Sequence, residues 1–160
     1  MNAMSRQLLA LLLCLAAGCA GTAPPLPNAG AQESPAGQTV GATLMNTPWR
    51  ILSLANEPVE AAPGKREPQL ILKNEDGRDS WSATVGCNQM SGGVTVDGNR
   101  IAFKSGMSTL MACPPPLDVV EKQLGRSLLA STQWRIQGNR LELRDDAGVQ
   151  TFLCEVAPPR

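Results

Sequence analysis

The chain has no histidine, no tyrosine, only two phenylalanines and three tryptophans, and no net charge, with 14 basic residues against 14 acidic ones. Each shortage removes a class of function. Without an imidazole, a zinc site loses its commonest nitrogen ligand, and a thiol or hydroxyl nucleophile has only lysine or carboxylate to activate it. A balanced chain with no block of lysine or arginine lacks the basic footprint of a nucleic-acid binder. No closely spaced cysteine pair offers a zinc chelate. Ser91-Gly92-Gly93 opens onto a strand pattern rather than a helix, so no phosphate loop is recognisable. The acidic pair Asp145-Asp146 falls at a turn, where a solvated face explains it better than glycoside chemistry. No catalytic residue, cofactor, metal or nucleic acid is therefore expected.

What is present begins at the front of the chain. Arg6, an apolar run from Leu8 to Leu15, and Ala16-Ala17-Gly18 before Cys19 have the form of a secretory signal ending in a lipidated cysteine. The run is far short of the roughly 20 residues that cross a bilayer. Cys14 is a poorer acceptor because bulky Leu13 precedes it. The expectation is a signal peptide over 1–18 and lipid on Cys19. Ala20 in place of an aspartate favours the outer membrane, with the domain in the periplasm. Residues 19–43, rich in Ala, Gly, Pro, Ser and Thr, read as a flexible tether that lacks the apolar surface to order itself. One domain over 44–160 follows.

Within that domain, short alternating runs separated by turn signals indicate antiparallel strands at 49–54, 69–73, 80–85, 93–96, 101–104, 133–136, 141–144 and 149–156. Asp97-Gly98-Asn99 and Gly138-Asn139 predict tight hairpins. Their flanks are alike, Val96 to Lys104 matching Ile136 to Arg144, which fits either convergent hairpins or an old duplication. Leu117, Val120, Leu124 and Leu128 recur at helical spacing after Pro114-Pro115-Pro116, predicting a helix between the fifth and sixth strands. Asp118 and Glu121 suit its start and Arg126 its end. Gly125 within it suggests a close approach to the sheet. Trp49, Trp81 and Trp134 are expected in the core rather than around a ligand. The fold class is α+β: a strongly curved antiparallel sheet of about eight strands packed on one helix.

Cys87, Cys113 and Cys154 remain after Cys19. In an oxidising compartment pairing is expected. Cys87 with Cys113 is the preferred pair, closing a loop worth roughly 3 kcal/mol, and Cys154 is then a buried thiol. Spacing alone leaves Cys154 open as a partner for either.

The ordered set Asn46-Thr47-Pro48-Trp49, Gly86-Cys87-Asn88, Gly92-Gly93, Thr109-Leu110-Met111-Ala112-Cys113, Glu121, Leu124 and Leu141-Glu142-Leu143 resembles the META domain of HslJ-like bacterial envelope lipoproteins. The resemblance covers nearly all of the domain. It implies a small mixed fold outside the cytoplasm, often tied to stress or drug tolerance, with no established catalytic mechanism. Cys154 is an extra thiol relative to the family's usual pair, and the triple proline departs from its pattern. The functional expectation is a lipid-anchored, non-enzymatic envelope module that binds a protein or small ligand. Asn88, Gln89, Ser108 and Thr109, flanking the paired cysteines, are where a binding surface is expected, although Asn88 satisfying backbone groups at a turn and Thr109 capping or bridging a strand end explain them at least as well. The alternative is a tethered inhibitor of a lytic enzyme, a lysozyme or protease, for which a rigid cross-linked domain is well suited.

Overall fold

The structure, a computed structural model, describes residues 42–159. The expected signal peptide, the lipidated Cys19 and the tether up to residue 41 lie outside the described residues. In chain order the elements are β1 (Pro48–Leu54), β2 (Glu57–Pro58), β3 (Gln69–Glu75), β4 (Arg78–Thr84), β5 (Met90–Asp97), β6 (Arg100–Phe103), β7 (Met107–Ser108), α1 (Leu117–Ala130), β8 (Gln133–Gln137), β9 (Arg140–Arg144) and β10 (Gln150–Val156).

The eight longer strands follow one another around a ring, β1-β3-β4-β5-β6-β8-β9-β10, and β10 pairs back onto β1. The expected α+β fold with a strongly curved antiparallel sheet is present, and the curvature is carried through to a closed antiparallel barrel. The cause is visible in the register: Trp49 faces Val156, Ile51 faces Cys154 and Leu54 faces Phe152. Closure pairs two edges that an open sheet would leave as unsatisfied backbone. Alternation then sends Trp49, Ile51, Leu141, Leu143, Phe152 and Cys154 to the interior, each almost fully buried. Trp81 is buried as well and Trp134 packs against the core from a partly buried position. Burial pushes the Cys154 thiol far above its ordinary pKa, so it behaves as a small apolar side chain.

Both expected hairpins form. Asp97 pairs with Arg100 around Gly98, and Gln137 pairs with Arg140 around Gly138, with the glycines at φ of 55° and 61°. A third tight turn, at Asp76-Gly77, joins β3 to β4. Two-residue strands β2 and β7 carry no periodicity and leave no sequence signal. β5 starts at Met90 rather than at residue 93 because its first residues are paired on both sides, Met90 with Ala83 of β4 and with Ser108 of β7. The thinnest seam of the ring joins β6 to β8, where Arg100 opposite Gln133 is the sole register pair.

Following the registers around the ring separates two ends. The three tight turns lie at one end, together with the entry of residues 42–47 and the exit after Val156, which meet where Ala157 N–H donates to Pro48 O at 2.8 Å. The longer β1–β3 and β4–β5 connections and the segments flanking α1 lie at the other.

α1 packs there against β1, β6 and β10. Leu117, Leu124 and Leu128 are buried and Val120 is partly so, matching the predicted stripe. Pro116 precedes the helix without a side-chain cap, and Asp118 supplies the acid of the first turn. The last turn contains no basic residue. Arg126 lies just before it and donates instead to Gln123 Oε1 at 2.8 Å. The terminal carbonyls are served by Ser131, whose N–H reaches Ser127 and Leu128 carbonyls and whose hydroxyl meets Ser127 O and Thr151 Oγ1.

Candidate functional site

The long-connection end is built around one short segment, Gly86-Cys87-Asn88, between β4 and β5. Cys87 is disulfide-bonded to Cys113 with Cα atoms 5.9 Å apart. The residue after it, Asn88, is only 4% exposed. Its side-chain carbonyl accepts from Thr109 Oγ1 at 2.9 Å and from Met111 N–H at 2.8 Å. Its amide donates to Glu121 Oε1 at 2.8 Å, to Cys113 Sγ at 3.1 Å and to Met111 O at 3.2 Å. Its backbone N–H reaches Glu121 Oε2 at 3.0 Å, and its carbonyl accepts from Thr84 Oγ1 at 2.7 Å. Every polar group of the residue is matched, which is what a buried amide requires.

Asn88 is thus an interior brace that satisfies backbone and side-chain groups of the surrounding loop, and it also lies along the wall of the opening described below. Gln89 continues the bracing. Its N–H donates to Thr109 Oγ1 at 3.0 Å, its amide to Ala83 O at 3.1 Å, and its carbonyl accepts from Arg66 Nη1 at 3.0 Å. Arg66 also donates to Cys87 O at 3.1 Å. Ser108 and Thr109 are exposed as residues, yet the Thr109 hydroxyl is already engaged.

The four expected residues are therefore brought together, Asn88, Ser108 and Thr109 along the wall of an opening and Gln89 as its support. The opening is a depression of about 580 Å³ whose lining includes Asn88, Ser108, Thr109, Leu110, Met111 and Glu121. A second, of about 210 Å³, continues it past Gly125 to Leu129 and Gly106. Together they form a groove between α1 and the strap of residues 104–112. The strap carries Leu110 at 97% and Met107 at 79% exposure. Arg66 escaped the sequence reading because it sits in no periodic run, and Leu110 was legible only as part of the motif from Thr109 to Cys113. Glu121 was legible as a helix-start acid and as one of the residues that carry the resemblance, but its contact with Asn88 depends on a loop 33 residues away.

The strap is seated by an approach that only glycine permits. A Cβ on Gly106 would lie 1.7 Å from Ser91 O. Gly106→Ala should lift the strap from β5 and cost about 2 kcal/mol, the usual range for overpacking. Limited proteolysis checks this, with new cleavage expected within 104–112 while the far-ultraviolet spectrum is kept.

A separate polar cluster lies on the outer wall, where Glu142, nearly buried, meets Arg135 and Arg144. Burial alone would raise the Glu142 carboxyl, but the hydrogen bonds and charges of Arg135 and Arg144 outweigh it and hold the group below its ordinary value of 4.5. A carboxyl lowered by folding contributes stability that is present above its unfolded pKa and is lost as pH falls through the folded one. Urea midpoints from about pH 5 down to pH 3 should therefore fall less steeply for Glu142→Gln than for the parent.

Among the described residues, one group of three potential metal ligands exists, Cys87, Cys113 and Glu121, with donor atoms within 4.8 Å of one another. No helix among them is long and apolar enough to cross a membrane.

Residues 42–157 match a family described as META domain. Two NMR structures share the fold: one protein at 20% identity, covering 72% of this chain and 95% of its own with a TM-score of 0.56, and one from Burkholderia xenovorans at 24% identity, covering 72% and 85% with a TM-score of 0.56. No curated protein matches the chain.

Proposed function

The chain belongs to the META domain family, and from that premise we propose that it is a lipid-anchored, non-enzymatic envelope module serving stress or drug tolerance through a binding face on the disulfide-braced end. The observation that carries this reading is the opposition of the two ends. Residues 42–47 enter the barrel beside the tight turns, whereas the groove, the strap and the disulfide occupy the far end. A module held by its N-terminus would present that far end away from its attachment. The cross-linked strap needs little further ordering to dock, which is favourable for binding.

The test is cross-linking in intact cells, with lipidated parent compared against a soluble Cys19→Ser form exported by an ordinary signal. The expected result is that Cys19→Ser leaves the membrane fraction, and that a discrete partner is captured by the parent and lost from a variant with Leu110→Asp. Membrane-bound mature Cys19→Ser protein would refute the anchor. Capture unchanged by Leu110→Asp would refute the face.

One observation favours the second reading, a tethered inhibitor of a lysozyme or protease: Leu110 stands almost fully exposed on a strap fixed at both flanks, the form of a plug for another protein's cleft. An inhibitor slows a panel of muramidases or proteases at near-stoichiometric concentration. A binding module leaves their rates unchanged.

A further inference from the structure

Glu121 has no cationic partner among the described residues, yet both of its oxygens are held beside a disulfide. Asn88 N–H donates to Oε2 at 3.0 Å and the Asn88 amide to Oε1 at 2.8 Å. Cys113 Sγ lies 3.4 Å from Glu121 Oε2. In a tetrahedral zinc site, Zn–S of about 2.3 Å and Zn–O of about 2.0 Å place sulfur and oxygen about 3.5 Å apart. The carboxylate is therefore already at ligand spacing from one sulfur. The donor atoms of Cys87, Cys113 and Glu121 all lie within 4.8 Å of one another, and two thiolates on one zinc stand about 3.8 Å apart. The Cα atoms of the two cysteines are 5.9 Å apart.

We propose that Cys87, Cys113 and Glu121 form a redox-gated site for a thiophilic divalent cation, closed as the disulfide and opened by reduction. A dithiol reductant delivers two electrons and two protons, leaving two thiols and becoming a disulfide itself. The cation then takes both sulfurs as thiolates and releases the two thiol protons. Glu121 Oε2 has a second lone pair for the ion beyond the one that accepts Asn88 N–H. Asn88 supplies the outer support that metal ligands need, orienting the carboxylate and donating to Cys113 Sγ. Three protein ligands leave a fourth position open. Cys113 is half-exposed beside the groove, which gives the ion a path. Histidine is not required for this chemistry, and the spacing of the two cysteines along the chain conceals it.

The experiment uses the full chain carrying Cys14→Ser and Cys19→Ser, so that buried Cys154 is the only other thiol. The reduced protein is titrated with Cd²⁺ under argon, following sulfur-to-cadmium charge transfer, and with Zn²⁺ in competition against a chromophoric chelator. One equivalent should bind the reduced form and none the disulfide form. Glu121→Gln should weaken binding at least tenfold while the oxidised variant keeps its disulfide and its fold, with Glu121→Asp recovering part of the loss. Cys113→Ser should abolish the charge-transfer band. Absence of one-equivalent binding by reduced protein that retains its circular dichroism overturns the site. Binding unchanged in Glu121→Gln overturns the carboxylate's part in it. If reduction itself unfolds the chain, so that the metal restores neither spectrum nor stoichiometry, the gating is refuted as well. None of these outcomes depends on the envelope partner sought above.

Discussion

Asn88→Ala is expected to destabilise the domain by about 3–5 kcal/mol, the scale of breaking a buried hydrogen-bond network. Truncation removes the partners of Thr109 Oγ1, Met111 N–H and Glu121 Oε1 together. The bonds are part-buried and Asn88 itself is only 4% exposed, so water replaces them incompletely and the cost exceeds that of one hydrogen bond at about 1 kcal/mol. Glu121→Gln keeps the shape but only one of the two acceptors that Asn88 uses, and should lose about 1–2 kcal/mol. Because the two residues share one network, their effects should not add. A double-mutant cycle read by urea denaturation should give a coupling of about 1–2 kcal/mol. Additive losses would mean that Asn88 acts through its backbone contacts alone.

Removal of the Cys87–Cys113 bridge is the second large effect. With a sequence separation of 26, the loop-entropy relation gives about 3.5 kcal/mol. For a domain of this size that corresponds to a melting-temperature drop on the order of 10–15 °C. Cys87→Ser/Cys113→Ser isolates the loss, since the third described thiol, Cys154, is buried and does not exchange. The strap should loosen first, because Cys113 and Asn88 are its two fastenings on the helix side. Calorimetry checks the magnitude. A drop under about 3 °C would mean that the network around Asn88 already constrains the loop without the covalent bond.

Much of the fold is legible in the residues. Period-two alternation from Trp49 and the turn at Gly138-Asn139 specify strands and hairpins because each depends on neighbours in the chain. The helix stripe of Leu117, Leu124 and Leu128 is local in the same sense. Closure of the barrel is not: it depends on Ile51 meeting Cys154, and nothing in either segment alone distinguishes an inner strand from an edge. The candidate site is legible in part. The glycine-cysteine-asparagine run marks its position, and Ser108 and Thr109 do line the opening. That Asn88 satisfies nearby polar groups is a reading its type allows, but its partners Met111 and Glu121 are not local to it in the chain. The contact of Glu121 with Asn88 exists only once the β4–β5 connection is brought beside the helix.

The β1–β10 pairing also sets an order of events. Arg50 and Glu155, joined by an ion pair across that seam, are 105 residues apart. The hairpins and the Cys87–Cys113 loop form from contacts far closer in the chain, so they can assemble early, whereas β1 has no partner on its β10 side until the final strand has been synthesised. A chain emerging N-terminus first therefore carries an unclosed edge for nearly the whole of its production. Its rate of folding should be governed by that last, longest loop closure rather than by the helix or the turns.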